Sequence, residues 1–316
     1  MRTYSGSLLA TDAPNFYCMQ IPIFTNDAGW HGAQLKQAFK VRGVDAQYVS
    51  LQDCVLNIAG QSPSVAIPNY SSLPPAVFVR GIAGGTMQQV MTRLNVLHML
   101  ALAGVRIYND VKAIERTVDK AMTSFLLRQH GVMTPATWVC ESRQQAQKIR
   151  QEAHDKQQLL VIKPLFGSQG LGVRRLPYTE ALPVPMQQFV DGVYYFQQAI
   201  QPPSEADGSV SHDYRLFVVA GKVVATMKRT GSSWLNNLAS GGQASGFVAN
   251  QTMVDLALAA ASALAIDYCG VDIMQAQSGE YYVLEVNSIP AWKGLQSVTE
   301  QNIAQCLVDD FLAKLL

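Results

Sequence analysis

The stretch Tyr268–Trp292, YCGVDIMQAQSGEYYVLEVNSIPAW, decides the reading of the chain. Gly270–Ala276 and Tyr281–Asn287 are two β-rich runs, separated by Gln277-Ser278-Gly279-Glu280. Ser278-Gly279 suits a two-residue hairpin turn, because glycine accepts a positive φ. With that turn Gln277 faces Glu280, and counting back along both strands sets Asp272 opposite Glu285. Strand alternation puts Asn287 on the same face as Glu285. Directly opposed residues have Cβ atoms roughly 4.5–5.5 Å apart, where like charges repel. Two carboxylates and an amide oxygen are hard donors of the kind Mg²⁺ takes, and an ion there turns repulsion into coordination. The plain alternative is a surface hairpin with solvated acids. It fits poorly, because Val271, Ile273, Val283, Leu284 and Val286 make both strands largely apolar.

The 316 residues suggest two or three compact units. Hydrophobic residues make up 48% and charged residues 15%, which supplies a core and argues against global disorder. A net charge of +1 argues against binding to nucleic acid or a membrane surface through bulk charge. The five cysteines are widely spaced, with no CxxC or Cys/His zinc pattern, and fit reduced cytosolic thiols. The first residues hold no long apolar run of a signal peptide, and no run reaches the ~18 residues of a membrane span.

From the N-terminus, the pattern predicts strands at 17–23, 44–50, 76–80 and 105–108. Helices at 31–42 and 86–103 lie between them, and residues 58–75 form a long Pro/Ser/Asn-rich loop. Such alternation builds an open α/β sheet. Beyond Asn109, a single helix is expected over 116–130, with Val118, Met122, Phe125 and Leu126 on one face. A short strand follows at 138–140, and Ser142 caps a polar helix to about 154. Further strands are expected at 159–164, 173–176 and 194–200, and a hairpin at 213–229 turning at Ala220-Gly221. The apolar run 252–265 reads as a helix. Ser297-Val298-Thr299-Glu300 reads as a capping box for the last helix, with Ile303, Leu307, Phe311 and Leu315 inward.

Leu159–Pro164 leads into Leu165-Phe166-Gly167-Ser168-Gln169-Gly170-Leu171-Gly172-Val173. Its GxxGxG spacing is neither the dinucleotide fingerprint nor a P-loop, and a strand follows it rather than a helix. It reads as a glycine-rich hairpin whose backbone N–H groups can approach phosphates closely. Lys163 ends the leading strand in an apolar run. Either a bound phosphate compensates its ammonium, or the lysine snorkels from an ordinary flexible hairpin. In the 213–229 hairpin, a two-residue turn sets Asp213 opposite Lys228 and Arg215 opposite Thr226. Arg229 then falls on the other face unless a bulge intervenes. A structural salt bridge and a ligand site explain Asp213 equally well. No Ser/His/Asp or Cys/His constellation stands out.

Together these residues resemble the ATP-grasp superfamily, and within it the RimK-like branch of carboxylate–amine ligases. The resemblance covers roughly residues 76 to 316 and, more loosely, the N-terminal α/β unit. It rests on Val118-Asp119-Lys120, Val161-Ile162-Lys163-Pro164 with the glycine hairpin, Phe196-Gln197-Gln198-Ala199-Ile200, and Asp213-Tyr214-Arg215-Leu216-Phe217-Val218-Val219. Asn237-Leu238 before Gly241-Gly242, Gly270-Val271-Asp272-Ile273, and Leu284-Glu285-Val286-Asn287-Ser288-Ile289-Pro290 complete it.

The resemblance implies an α/β ATP-grasp fold, α+β in its C-terminal half. A pre-ATP-grasp domain is expected over 1–108, a central subdomain with the glycine lid over 109–188, and a C-terminal subdomain with the metal site over 189–316. Lys120 and Lys163 would contact ATP phosphates under the lid of Gly167, Ser168, Gln169 and Gly170. Gln198, Ala199 and Ile200 would line the adenine, although the family usually has glutamate where Gln198 stands. Asp213 and Asn237 would sit beside the nucleotide. Asp272, Glu285 and Asn287 would hold two Mg²⁺ ions, with Mn²⁺ as a substitute. Lys163 and Arg229 would act in catalysis, Arg229 supporting the acyl-phosphate and its adduct. Arg215, Arg229 and Asn237 would face the substrates. Leu235 stands where relatives often have an arginine.

The implied reaction is amide-bond formation through an acyl-phosphate. Phe24-Thr25-Asn26-Asp27-Ala28-Gly29-Trp30-His31-Gly32, Val79-Arg80-Gly81-Ile82 and residues 113–120 resemble RimK-like proteins associated with tetrahydromethanopterin or methanofuran. The implied partners are ATP, a small-molecule carboxylate acceptor and L-glutamate, in a cytoplasmic homo-oligomer, dimer or tetramer. The alternatives are a RimK-type protein glutamate ligase, an amino-acid or dipeptide ligase, and a non-catalytic ATP-binding regulator.

Overall fold

A computed structural model describes residues 19–59, 61–167, 170–183, 192–203, 211–231, 234 and 242–316. The expected lead-in at 1–15, the start of the first strand at 17–18, and Ser168, Gln169, Leu235 and Asn237 lie outside the described residues.

The chain opens with β1 (Gln20–Phe24), α1 (Gly29–Val41), β2 (Asp45–Val49), β3 (Val55–Asn57), β4 (Ser64–Ala66), β5 (Ala76–Val79), α2 (Met87–Leu102) and β6 (Arg106–Tyr108). Strands β1, β2, β5 and β6 pair in parallel in the order β2-β1-β5-β6, which is the open sheet expected from the strand–helix alternation. The Pro/Ser/Asn-rich region is less irregular than expected, because β3 and β4 pair as a small hairpin within it. Thr86 and Gln89 form a reciprocal capping box that starts α2.

Two helices replace the single one expected over 116–130. These are α3 (Val111–Val118) and α4 (Lys120–Gln129). The break is at Asp119, whose carboxylate accepts from the N–H groups of Ala121 and Met122 and caps α4. Lys120 is thereby the first residue of a helix. Val118, Met122 and Phe125 are exposed, so α4 buries Thr123 and Leu127 instead of the expected apolar face.

Next come β7 (Thr137–Cys140), α5 (Arg143–Asp155), β8 (Leu160–Lys163), β9 (Arg174–Leu176) and β10 (Tyr194–Gln198). These four strands form the sheet β7-β10-β8-β9. Pairing therefore carries this sheet to Gln198, past the expected boundary at 188. The last sheet uses β11 (Ser211–Val219), β12 (Lys222–Gly231), β13 (Gln243–Gly246), β14 (Tyr268–Gln275) and β15 (Tyr281–Asn287), ordered β13-β12-β11-β14-β15. Helices α6 (Gln251–Ala263), α7 (Lys293–Gln296) and α8 (Ile303–Ala313) complete the described chain.

The expected Ser297 capping box does not form. Ser297 donates its hydroxyl to Gly294 at the end of α7, and Asn302 caps α8 by accepting from the Gln305 N–H. Ile303, Leu307 and Phe311 are fully buried as expected. The core they enter joins the first and last sheets. Phe311 lies 5.4 Å from Phe39 and 5.6 Å from Tyr108, and Tyr108 stacks on Tyr268 at 5.0 Å between ring centroids. Shared aromatic burial of this kind holds the N-terminal sheet against the C-terminal strands. No described helix is long and apolar enough to cross a membrane.

Candidate active site

A cavity opens between the β7–β10 sheet and the five-stranded sheet. It is lined from one side by Val161, Lys163 and Gln197, and from the other by Asp213, Arg229, Asp272, Met274, Leu284 and Glu285.

The floor begins with the β14–β15 hairpin. Asp272 does face Glu285, and Gly270 faces Asn287, but the route to that register differs from expectation. The turn has three residues, Gln277 to Gly279, with Gly279 at φ +96° and the Ala276 N–H bonded to Glu280 O at 2.8 Å. The register then shifts between Asp272 and Ile273, because Leu284 is an extra residue in β15. The longer turn and the bulge cancel. The bulge also lets consecutive Leu284 and Glu285 both line the cavity.

A second bulge corrects the β11–β12 hairpin. The register shifts between Phe217 and Val218, with Val224 as the extra residue, so Asp213 faces Arg229 and Arg215 faces Met227. Asp213 and Arg215 are not opposite Lys228 and Thr226, as a regular two-residue hairpin would place them. The bulge turns Arg229 onto the cavity face. There Arg229 bonds Asp213 and reaches Asp272 Oδ2 at 3.0 Å. Arg215 grips Asp272 through two hydrogen bonds of 2.7 Å.

Asp272, Asp213 and Arg229 are buried, and their charges depend on one another. Burial pushes the Asp272 carboxyl up, but Arg215 and Arg229 outweigh it and hold the group below its usual range. Asp213 is pushed up by burial against the pull of Arg229, with repulsion from Asp272 adding to the rise. Burial opposes the Arg229 charge, yet the two aspartates raise its pKa further.

The repulsion expected between Asp272 and Glu285 is thus answered, on the Asp272 side, by two guanidiniums. Glu285 is different. Among the described residues its carboxylate has no hydrogen-bond or ion-pair partner. Its charge is felt by Lys120 and Lys163 across the cavity. Asn287 follows on the same face, one pairing step from the cavity lining. Among the described residues, no three His, Cys, Asp or Glu side chains are already placed to hold a metal ion. The hard oxygens of Glu285 nevertheless fit Mg²⁺, and Asp272 can join them by sharing an oxygen now held by arginine.

The opposite wall carries the two lysines. Lys163 ends β8, paired with Tyr195 of β10, and its ammonium donates to Gln197 Oε1 at 2.5 Å. Gln197 is buried and is oriented by the hydroxyls of Thr137 and Tyr195. Desolvation pushes the Lys163 pKa down to about 8, with Glu285 opposing that fall and Lys120 adding to it. Lys120 donates to Gly167 O at 2.8 Å and Leu165 O at 3.4 Å, so the first helical residue of α4 reaches the start of the glycine hairpin. Burial lowers its pKa too, against the pull of Glu285 and Asp119. Gly167 and Gly170 line the cavity, at φ +138° and +72°.

Gln198, Ala199 and Ile200 line a third side. Their segment is held straight by Gln198 N–H to Ala136 O and Ala199 N–H to Leu159 O, both 2.8 Å. With Val161, Met274 and Leu284 they offer apolar surface to a flat ring. The sequence reading missed Gln197, Arg175 and Trp234 as lining residues. Arg175 stacks on Trp234, 5.0 Å from its ring centroid. Gln197 was readable: it alternates with Tyr195 on the strand face that faces Lys163. Arg215 lies on the Asp272 side of this constellation. Ser168, Gln169 and Asn237 are outside the described residues.

Residues 117–311 match the RimK-like ATP-grasp domain family. The chain is similar to the tetrahydromethanopterin:alpha-L-glutamate ligase of Methanococcus maripaludis, at 31% identity over 299 residues, covering 93% of this chain and 98% of that protein. It is similar to a probable alpha-L-glutamate ligase of Shewanella loihica, at 29% identity, covering 94% and 96%. Among solved structures, the ATP-grasp ligase PsnB complexed with minimal precursor, Mg and ADP superposes with a TM-score of 0.70 at 17% identity, covering 97% of this chain and all of that one, a likeness of fold. Two lysines facing buried acids across a glycine-edged cavity agree with these matches, and the chain belongs to the RimK-like ATP-grasp family of ATP-dependent ligases.

Proposed function

We propose that the protein adds L-glutamate to a carboxylate-bearing one-carbon cofactor of the tetrahydromethanopterin or methanofuran type, through an acyl-phosphate. The observation that carries the reading is the placement of Lys120 and Lys163 opposite Asp272 and Glu285 in one cavity, with Arg229 bridging Asp213 and Asp272. The named activity of the Methanococcus relative supports the choice of substrates.

In this reading the nucleotide base lies against Gln198, Ala199 and Ile200, with Leu284 and Met274 on its other side. Asp213 sits at the nucleotide edge. Lys163 and Lys120 give their ammoniums to the phosphates, Lys120 exchanging the hairpin carbonyls it now holds. The acceptor carboxylate attacks the γ-phosphorus, and its oxygen forms the acyl-phosphate as the bond to ADP breaks. The amine of glutamate then attacks the acyl carbon and phosphate leaves. Arg229, locked by Asp213 and Asp272, supports the charge on the acyl-phosphate and on its tetrahedral adduct. Asp272, Glu285 and Asn287 would hold Mg²⁺, one ion or two, which supplies charge neutralisation at the phosphates and which Mn²⁺ can replace. Ser168, Gln169 and Asn237 complete the proposed nucleotide contacts, with Arg215 and Asn237 on the substrate side. No side-chain nucleophile is required.

The same reading assigns residues 1–108, 109–198 and 199–316 to three units, the middle boundary following the pairing of β10. A cytoplasmic homo-oligomer with reduced cysteines belongs to it as well; the four described cysteines are free. A protein C-terminus is the second acceptor class; the name of the Shewanella relative specifies glutamate and does not choose between the two. ADP release measured with ATP, Mg²⁺ and L-glutamate, with tetrahydromethanopterin, methanofuran or a peptide library as acceptor, separates these. Turnover with a one-carbon cofactor supports the proposal. Turnover with peptides alone moves it to the second class, and ATP binding without turnover leaves only a regulator.

A further inference from the structure

The N-terminal sheet carries a site of its own. In an open parallel sheet, ligands bind outside the carboxyl ends of the strands, where the strand order reverses. In the order β2-β1-β5-β6 that point lies between β1 and β5. The two strands end together, with Phe24 O accepting from both the Arg80 N–H at 2.9 Å and the Gly81 N–H at 3.0 Å.

Arg80 stands at this point. Its guanidinium carbon lies 5.1 Å from the ring centroid of Trp292. Its Nε is buried without a hydrogen-bond partner, and so is the indole Nε1 of Trp292 beside it. Two orphaned donors side by side are unusual, because buried donors are almost always paired. Arg80 forms no ion pair among the described residues. Asp27 is the acid whose charge it senses, while His31 feels both Arg80 and Lys293. His31 itself is held neutral. Burial, Arg80 and Lys293 push its pKa down to about 4, and its Nε2 accepts from the N–H groups of Trp292 and Lys293 at 3.0 and 3.3 Å. Two cations against one acid leave the crevice with an excess of positive charge.

Arg80 and Trp292 connect to the cavity of the nucleotide site through the segment before Trp292. Arg215, which grips Asp272, also reaches Ala291 O at 3.5 Å, and Ala291 precedes Trp292. Residues 81–85, which follow Arg80, form neither helix nor strand, and a Cβ at Gly84 would meet no neighbouring atom.

We propose that Arg80 and the indole N–H of Trp292 form a subsite for a carboxylate of the acceptor, one other than the carboxylate that is phosphorylated. The reacting group must meet the γ-phosphate between Lys163 and Glu285, whereas Arg80 lies behind Trp292 on the N-terminal sheet. The subsite therefore selects acceptors with at least two acidic groups. This rests on the ligase reading above.

The test compares wild type with Arg80→Gln, Arg80→Lys and Trp292→Phe. Trp292→Phe keeps an aromatic ring and removes the donor, but it also shrinks a fully buried core side chain, so its melting temperature is measured alongside. One readout is the KM for acceptor and for glutamate by ADP release. The other needs no turnover: calorimetric titration with glutarate in the presence of a non-hydrolysable ATP analogue. Losing a charge-assisted bond should weaken glutarate binding and raise the acceptor KM about tenfold or more in Arg80→Gln. A smaller rise is expected in Arg80→Lys and Trp292→Phe, and no change in the glutamate KM. Unchanged acceptor KM and unchanged glutarate affinity in Arg80→Gln overturn the subsite while the ligase reading stands. A rise confined to the glutamate KM overturns its assignment to the acceptor. If wild type shows no turnover with any acid and amine, the ligase reading has failed, and the titration still decides whether Arg80 binds a carboxylate. Wild type that binds no glutarate also overturns the subsite.

Discussion

Lys163 offers a test that needs only ATP and pH. Burial lowers the pKa of its ammonium to about 8, against an ordinary value of 10.5. Glu285 opposes the fall but does not cancel it. If Lys163 binds phosphate as proposed, it does so in its charged form, and capture of ATP follows the protonated fraction of the free protein. With a pKa of 8 that fraction is about 0.9 at pH 7 and about 0.09 at pH 9, a tenfold fall; at the ordinary value the fall would be a few per cent. The assay is kcat/KM for ATP from pH 6.5 to 9.5, or equilibrium binding of a non-hydrolysable analogue over the same range. Lys163→Arg keeps its charge throughout and should flatten the limb, whatever its absolute rate. A wild-type profile flat from pH 7 to 9 refutes the placement of Lys163 in a desolvated, phosphate-binding position.

Three further perturbations address the floor. Arg229→Met leaves the buried Asp213 without its guanidinium partner and Asp272 with Arg215 alone, and should destabilise the fold by roughly 3–5 kcal/mol in urea unfolding. Adding Asp213→Asn should recover part of that loss, and strict additivity of the two changes contradicts the coupling. Glu285→Gln keeps the shape of the only cavity acid without a partner among the described residues. It should raise the Mg²⁺ concentration needed for half-maximal turnover at least tenfold, by about 1.4 kcal/mol or more; an unchanged Mg²⁺ dependence excludes Glu285 as a ligand. Gly279→Ala meets no neighbouring atom but must hold φ +96°, so a loss of about 1 kcal/mol from backbone strain alone is expected, read as a lower melting temperature.

Much of this site was legible because the sheet alternation carries it. Asp272 and Glu285 were placed opposite each other from the sequence, yet the count succeeded because a three-residue turn and the Leu284 bulge cancel. The same counting on β11–β12 failed by one residue, since the Val224 bulge there has nothing to offset it. A bulge leaves the hydrophobic pattern nearly unchanged. Only the side-chain directions beyond it move, and those directions turned Arg229 toward Asp213 and Asp272. Arg229 was hidden for that reason, whereas Arg215, on the unbulged β11, meets Asp272 through a β11–β14 pairing that counting along hairpins does not reach.

Helix limits were lost to local capping. The apolar spacing from Val118 to Leu126 runs through Asp119 as if nothing happened, but the aspartate satisfies two N–H groups and starts a new helix at Lys120. Ser297 had the right spacing for a capping box, and Asn302 outcompeted it five residues later. The lysines and the glycine hairpin were ambiguous in isolation. The fold brings them onto one wall of the cavity, facing Glu285.

The most direct measurement follows the oxygen. The acceptor is prepared with heavy oxygen in its carboxylates and turned over once with ATP, Mg²⁺ and L-glutamate. If the acceptor carboxylate attacks the γ-phosphorus and glutamate displaces phosphate, the released phosphate carries one labelled oxygen, with ADP formed in equal amount. Unlabelled phosphate, or AMP with pyrophosphate in place of ADP, contradicts an acyl-phosphate formed between Lys163 and Glu285.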